Sequence, residues 1–323
     1  DADDDRIFCV NLTICDQNTQ QQDKQVLSTP HWLSPLTISY TRDHSNALFS
    51  PTRGSIFRLD GEYAARASGS DFAYWRAVAE LSEYREILPG LVLAARVRPG
   101  FARSLAETGS AAGLGLHPSK RFFGGGPNSV RGFAQGQLGP KVLTVDAATV
   151  LARPKEQGGA GCSLIQVNDG TCRVSSLDAG VFDAHPTGGA ALLEGNFEAR
   201  FPLGPANLRG AAFVDYGQLW NTPSDVRLRQ LVWTPGLGVR YFSAIGPIRI
   251  DVGYNPQGSE PAQVLSTQVG VRQIDGTCVE ASAQDGQQLC DRGSLTPIQE
   301  ISWPNRKTFL NHLQLHFSIG QAF

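Results

Sequence analysis

The sequence has no methionine, almost no net charge and no long apolar run. Its 323 residues carry a formal net charge of −2, which argues against a protein that binds nucleic acid through a basic surface. No apolar segment approaches the ~18 residues that a membrane helix needs, but membrane-spanning strands escape this test because their alternate residues are polar. Since position 1 is not methionine, we expect a processed chain or a part of a longer one.

Catalytic and nucleotide-binding motifs are also missing. The glycine-rich segment 121–133, RFFGGGPNSVRGF, lacks the Gly-Lys-Ser/Thr and the following helix pattern of a phosphate-binding loop. No hydrolase elbow surrounds Ser129. His312 and His316 share one face of a predicted strand, so a metal site is conceivable there, with polar lining as the plainer interpretation. We therefore expect no enzyme activity, no cofactor and no metal.

The six cysteines form three close pairs, all surrounded by Asn, Asp, Gln, Gly and Ser. Zinc sites favour shorter spacings and nearby histidines, so disulfides that close surface loops fit better, with free thiols as the alternative. Disulfides imply an oxidising compartment. The expected bonds are Cys9–Cys15, Cys162–Cys172 and Cys278–Cys290.

Apolar and polar residues alternate with a period of two along much of the chain, which predicts β-strands. The strands approach the ~9–11 residues of a membrane-crossing strand, and their polar faces carry charges of both signs, as a wet barrel lumen would. Aromatic residues gather at strand ends: Trp32, Trp220, Trp233, Tyr254 and Phe323. We predict an all-β fold, a transmembrane antiparallel β-barrel. A water-soluble β-sandwich is the alternative, because its strands alternate too.

Nine strands are predicted, over residues 33–42, 54–67, 72–85, 90–103, 190–202, 207–220, 231–243, 246–255 and 308–323. An arginine on the lipid face at mid-membrane costs about 2–4 kcal/mol, so Arg200, Arg240 and Arg249 should point inward or lie near a membrane interface. The residues expected to face lipid are Leu193, Phe197, Leu237, Val239, Ile250, Val252, Leu315 and Phe317.

The links between strands alternate in length. Those at 104–189, 221–230 and 256–307 are long, and every cysteine falls on their side of the barrel. Long links are typical of the outer side of such barrels, so we place that side, with residues 1–31, outside the cell.

Several segments taken together carry a family resemblance. RFFGGGPNSVRGF is accompanied by FSPTRG (49–54), the run at 69–100, FEARFPL (197–203), AAFVDYG (211–217), GLGVRYFSAIGPIRIDVGY (236–254) and a terminal FSIGQAF. This set, in this order, resembles the BamA/TamA-type outer-membrane assembly barrels of the bacterial surface antigen superfamily, TamA-like members more than BamA itself. The resemblance covers residues 32–323.

The resemblance implies a sixteen-stranded barrel, of which this chain holds the last nine strands without the periplasmic POTRA repeats. Residues 1–31 are then an extracellular loop segment, 32–323 the C-terminal part of the barrel, and 104–189 a long loop that enters the lumen with the VRGF motif. An open nine-stranded sheet would expose two unpaired edges to lipid. We therefore expect a separate N-terminal chain to supply the missing strands and POTRA repeats, pairing with strand 33–42 and, more loosely, with 308–323.

The site residues also follow from the resemblance. In the family the loop arginine meets acidic groups on two strands, and the matching residues here are Arg131, Gly132, Phe133, Glu198 and Asp215. Arginine suits this contact because its planar fork serves two acceptors at once. A lateral seam and C-terminal signal comprise Phe317, Ile319, Gly320 and Phe323. Glycine weakens a strand interior, so Gly320 fits a loose seam.

The function implied is assembly and insertion of other outer-membrane proteins, through a weak seam at which a client strand is added to the last strand. A secretion or lipid-transport barrel is one alternative and a structural anchor subunit of a surface complex is another, because fold does not settle function. The expected partners are outer-membrane lipid, client proteins and the N-terminal chain, with no nucleic acid. We expect an integral outer-membrane protein with its long loops and N-terminus extracellular and its C-terminus periplasmic.

Overall fold

A computed structural model of the chain describes residues 32–48, 50–105, 116–152, 158–204, 207–243, 246–273, 275–279, 288–304 and 308–320. The predictions on residues 1–31, on Cys9 and Cys15, and on Phe323 lie outside these residues. None of the described helices is long and apolar enough to cross a membrane.

The chain divides into two compact units. We call the first the sheet unit; it comprises the described parts of His31–Pro140, Gly188–Gln257 and Arg306–Phe323. The second, the link unit, comprises the described parts of Lys141–Thr187 and Gly258–Asn305. Lys141–Thr187, which the sequence analysis assigned to one lumen-inserting loop over 104–189, is therefore part of a separate unit.

The sheet unit is one sheet of nine antiparallel strands, which confirms the predicted strand number and fold class. The strands pair in chain order, and the strands of the link unit occur in the sequence between the fourth and fifth and between the eighth and ninth strands of this sheet. The strands are β1 (Leu36–Asp43), β2 (Gly54–Ala64), β3 (Tyr74–Leu88), β4 (Leu91–Ser104), β7 (Ala191–Pro202), β8 (Leu208–Trp220), β9 (Val232–Ser243), β10 (Gly246–Tyr254) and β14 (Leu313–Ile319). β14 is shorter than the predicted 308–323, because a 3-10 helix, Phe309–His312, precedes it.

The two faces of this sheet differ as the period of two requires. The outer face is apolar and exposed: 66% of Leu237 and 67% of Phe317 are accessible, whereas Arg240 and Arg249 on the inner face are buried. A β-sandwich buries its apolar face against a second sheet. Exposure of the apolar face excludes that alternative and fits a barrel wall whose outer side meets lipid.

The link unit holds a second, five-stranded sheet of a different kind. Its strands are β5 (Lys141–Val145), β6 (Asp183–Pro186), β11 (Glu260–Arg272), β12 (Cys278–Val279) and β13 (Leu289–Trp303), with short helices α1 (Ala147–Leu151) and α2 (Leu164–Asn168). β5 runs parallel to β11, and β13 pairs with β11 with two register shifts. Leu143, Val150, Val167 and Val264 are among its buried core residues. The unit therefore has an apolar interior of its own.

Candidate functional site

The glycine-rich segment lies against the inner face of the sheet unit. Phe122 and Gly189 exchange backbone hydrogen bonds of 2.8 and 2.9 Å, which ties the start of the segment to the chain entering β7. Its apolar side chains Phe122, Val130 and Phe133, with Leu138 that follows it, are buried in one cluster with residues of the strands, such as Leu192. Apolar burial therefore holds both ends of the segment, while its tip carries the arginine.

Two glycines let the segment turn back on itself. Gly125 and Gly126 have φ of +95° and +104°, a region that side chains with a Cβ rarely adopt. A Cβ on Gly125 would also lie 2.6 Å from the carbonyl oxygen of Ala134. The N–H of Gly126 donates to the carbonyl oxygen of Phe133 at 3.0 Å, which closes the turn. The fold-back aims residue 131, at the tip, into the sheet.

Arg131 is fully buried and meets both of the carboxylates that the sequence analysis named. Its Nε and Nη2 donate to the two oxygens of Asp215 at 2.8 and 2.7 Å, a forked pair, and its Nη1 donates to Oε2 of Glu198 at 2.6 Å. The backbone N–H of Arg131 also donates to Asp215, at 2.9 Å. The loop tip is thus bound to β7 and β8 by four charge-assisted hydrogen bonds.

Further contacts fix the position of the arginine within the site. The guanidinium lies 3.4 Å from the centre of the Phe213 ring, and Nε2 of His316 lies 2.9 Å from the carbonyl oxygen of Arg131. The neighbours leave no space for larger residues: a Cβ on Gly132 would collide with Thr234, and one on Gly253 with the Arg131 carbonyl. The loop can pass this close to β9 and β10 because Gly132 and Gly253, which have no side chain, lie at the two points of closest approach.

Glu198 is shared with two other arginines. Arg240 donates to Glu198 at 3.0 Å and to Asp251 at 2.5 Å, and Arg200 donates to Glu198 at 2.8 Å. Asp251 also lies 3.7 Å from Nη1 of Arg131. Charges in so dry a place are stable only if each is paired and hydrogen-bonded. Alternating positive and negative groups across β7, β9 and β10 meet that condition.

A second anchor holds the loop just before the arginine. Ser129 donates a hydrogen bond to Glu194, and Arg96 donates to the carbonyl oxygen of Asn128 at 3.0 Å. The side chain of Asn128 accepts from Arg249 at 2.5 Å. The loop therefore contacts the inner face from β4 through β14, not at one point.

The contacts of this geometry hold the loop in place. The buried groups bind one another, and the described part of the chain contains no group of three or more residues placed to hold a metal ion. His312 and His316 form hydrogen bonds with different backbone carbonyl oxygens, those of Asn255 and Arg131. The arrangement can hold a loop inside a barrel wall.

The remaining predicted residues lie away from this site. Phe317 and Ile319 are exposed on the outer face of β14, and Gly320 follows that strand with φ of +105° and donates to the carbonyl oxygen of Pro247 at 2.8 Å. The structure forms the disulfides Cys162–Cys172 and Cys278–Cys290, both in the link unit.

Sequence reasoning did not assign Asp251, Glu194 or Asn128 to the site. The signal for the two acids was present, because Glu194 has the strand parity of Glu198 and Asp251 alternates with the outward Ile250 and Val252. Asn128 gave no such signal, since its contact depends on how the loop turns.

Comparisons with known proteins place this geometry in context. A family model described as the Omp85 superfamily domain matches residues 8–323. The chain is 22% identical over 224 residues to outer membrane protein assembly factor BamA of Neisseria meningitidis serogroup B, a match that covers 69% of this chain and 26% of that protein. It is 29% identical over 104 residues to the BamA of Nitratidesulfovibrio vulgaris, covering 32% of this chain and 12% of that protein.

Two further likenesses involve a eukaryotic protein and a solved structure. The sorting and assembly machinery component 50 homolog of Bos taurus is 28% identical over 108 residues, covering 33% of this chain and 22% of that protein. The crystal structure of BamA from Haemophilus ducreyi lacking POTRA domains 1–3 matches with a TM-score of 0.51 and 18% identity, over 76% of this chain and 45% of that one. The structural match supports the fold alone. The chain spans about a quarter or less of the length of the curated relatives it matches.

Proposed function

The chain belongs to the Omp85 superfamily, and on that premise we propose that it acts in the assembly and insertion of outer-membrane β-barrel proteins. The relatives named as outer membrane protein assembly factors suggest this activity and the location in the outer membrane. The family predicted from the motifs is confirmed, while the preference for TamA-like members stays a prediction.

The observation that carries the proposal is the free edge of the last strand. β14 has seven residues and pairs with β10 through Ile248–Tyr254. The described residues provide no partner for its other edge. An unpaired edge offers a row of backbone donors and acceptors to an incoming strand. A short strand followed by Gly320 loses few backbone hydrogen bonds when it separates from its neighbour, which suits a seam that opens for a client.

The opposite edge of the sheet, on β1, needs a permanently paired strand. β1 pairs with β2 alone among the described strands, and its outer side chains Leu36, Ile38 and Tyr40 are exposed. Two unpaired edges in hydrocarbon are too costly to persist, because each lost backbone hydrogen bond costs several kcal/mol. We propose that further strands, supplied by a separate N-terminal chain with POTRA repeats, pair with β1 and meet β14 more loosely. Mass analysis of the purified assembly under denaturing conditions tests this, since a single species longer than this chain would reject a separate polypeptide.

Within this proposal the contacts of Arg131 with Glu198 and Asp215 keep the barrel wall rigid where the seam must not open. Arg131 joins β7 and β8, and Arg240 joins β7 to β10, so the strands next to the seam are fastened from inside. The long links and the cysteines are then extracellular and the C-terminus periplasmic. Protease added outside intact cells should cut within 256–307 and leave the short turns untouched.

Site-specific crosslinking tests the seam. Leu315 in β14 and Leu237 in β9 are a matched pair, because both point outward and are 65% and 66% exposed, but only Leu315 lies on an edge strand. With a photoreactive residue at each position in the intact protein, a barrel client under assembly should crosslink at 315 and not at 237. Equal crosslinking at both sites, or ion conductance with the loop in place and no effect on client assembly, would reject the assembly function in favour of transport.

A further inference from the structure

A charged pair stands on the outer face of the sheet unit, where apolar residues are the rule. On β3 the side chains of Ser82 and Tyr84 are buried on the inner side, so Glu83 and Arg85 point outward. Nε of Arg85 lies 3.3 Å from Oε1 of Glu83, and 75% of the arginine side chain and 44% of the glutamate side chain are exposed. Apolar neighbours on the same face, Leu81 and Ile87, flank the pair.

A groove begins at this pair and continues across the outer face. The strand register places Glu83 beside Ala95, Arg85 beside Leu93, and Leu93 beside Ala199. Ala199 in turn faces Ala212 on β8. The alanines form a floor between the taller side chains of Leu93, Phe197 and Val214, and the space above it is about 480 Å³. The groove is narrow, apolar and open to the outside, with the charged pair at one end.

The position of Arg85 along the strand decides what it can meet. It lies three residues before the end of β3 at Leu88, close to the turn into β4. At ~3.4 Å per residue this is ~10 Å along a tilted strand, so the guanidinium stands near the boundary between hydrocarbon and headgroups. An outward arginine is tolerated there, because a phosphate and water are within reach.

We propose that this groove binds a glycerophospholipid with a primary ammonium headgroup. The lipid phosphate accepts hydrogen bonds from the Nη groups of Arg85, for which the structure gives no partner within the described residues. The headgroup ammonium donates to Glu83, and one acyl chain lies along the alanine floor. A pair of opposite charges on the protein matches a pair of opposite charges on the lipid. A lipid with only a phosphate charge would leave Glu83 facing an anion, and a quaternary ammonium has no N–H to donate.

The inference rests on the proposed place of the sheet unit in a membrane, and the experiment separates the two. The full protein is reconstituted in vesicles of phosphatidylethanolamine, phosphatidylglycerol and phosphatidylcholine in equal parts, floated, extracted in mild detergent and measured by native mass spectrometry. We expect phosphatidylethanolamine to be retained in preference to the other two. Failure of the wild-type protein to float would overturn the membrane location and this inference with it, whereas floated protein without a lipid preference overturns this inference alone.

Variants assign the contacts. Arg85→Gln should lower phosphatidylethanolamine retention about tenfold, the order expected for hydrogen bonds to a charged group. Glu83→Gln should abolish the preference over phosphatidylcholine, and Ala199→Phe should lower retention of every lipid because it fills the groove. The controls are Arg53→Gln, an exposed arginine paired with Glu86, and Ala79→Phe, an outward alanine of β3 that does not line the groove. Controls that lose lipid as much as the variants do would reject the site.

Discussion

The sheet unit buries a cluster of charged residues beside its apolar ones, whereas the core described for the link unit is apolar. In the sheet unit Arg131, Arg240, Glu198, Asp215 and Asp251 are buried together while leucines stand exposed on the outer face. In the link unit the buried cluster is apolar, and two disulfides close its loops. The link unit has an apolar interior, as is usual for a domain in water. In the sheet unit charged residues are buried in the cluster and apolar residues are exposed on the outer face.

This difference changes what stability depends on. Apolar burial is non-directional, so the link unit loses stability in proportion to the area it loses. A buried ion cluster is stable only when every member has its partner, and removing one member leaves the others charged and dry. Removal of one charged side chain from this cluster should therefore strongly lower the stability of the sheet unit. It should leave the stability of the link unit unchanged.

Removal of the loop arginine is the strongest way to test this contrast. We expect Arg131→Ala to lower the free energy of unfolding by about 3–5 kcal/mol, because Asp215 and Glu198 lose their buried partner. Residues 116–140 should become sensitive to protease, while the link unit is cut no faster than in the wild-type protein. Urea titration of the protein in vesicles, followed by tryptophan fluorescence, measures the first effect, and timed proteolysis the second.

Two variants bracket that result. Arg131→Lys keeps the charge without the planar fork and should give a smaller loss. Arg229→Ala removes an exposed arginine from the β8–β9 link and should change stability by less than about 0.5 kcal/mol. A protease-resistant loop in Arg131→Ala would show that the apolar residues of the segment hold it without the ion cluster.

The exposed apolar surfaces of the two units should also differ, because their solvents differ. Ile250 stands outward at the middle of β10, and Leu289 is exposed on β13 of the link unit. Ile250→Arg should cost about 2–4 kcal/mol if the sheet lies in a bilayer. Leu289→Arg should cost less than about 0.5 kcal/mol in water. Parallel urea titrations compare them, and equal costs would contradict the membrane location of the sheet unit.

Much of the sheet unit could be predicted from sequence because one side of it is polar and the other apolar. That difference repeats every second residue, so strands such as β9 and β10 were located to within one residue, and their inward arginines followed from parity. Arg131 could be paired with Glu198 and Asp215 only through the family resemblance. Contacts such as that of Asn128 depend on the backbone path of the loop, which no local pattern records.

The link unit could not be predicted in the same way. β11 is buried on both faces over Val264–Ser266, so its apolar residues do not alternate. Two register shifts within the β11–β13 pair change which face of the sheet the alternate side chains point to, so no single period of two runs the length of the strand. β5 joins β11 across more than a hundred residues of sequence, and a short parallel strand of that kind leaves no local signal. Only its disulfides were visible in advance, as closely spaced cysteines.

Loss of a disulfide should affect the link unit alone. Cys162 and Cys172 are ten residues apart, and closure of a loop of that size is worth about 2–3 kcal/mol in the chain-entropy model. The double change Cys162→Ser and Cys172→Ser should make residues 158–187 sensitive to protease and leave the Arg131 loop protected. Reduction of the wild-type protein, which also opens Cys278–Cys290, should make residues 158–187 sensitive in the same way. Joint loosening of both loops would contradict independent stabilisation of the two units.

The smallest effect is expected from an ion pair of the sheet unit that the described part of the loop does not cover. Arg58 on β2 and Glu80 on β3 also face inward, with Nη1 2.9 Å from Oε1, but half of the arginine side chain is exposed. Such a pair contributes at most about 1 kcal/mol, because water screens the charges and solvates whichever partner remains. Arg58→Gln should therefore shift the urea midpoint slightly, although its distance to the acid is close to that of Arg131. A loss near that of Arg131→Ala, in protein purified without any partner chain, would show that burial by the loop is not what distinguishes the two arginines.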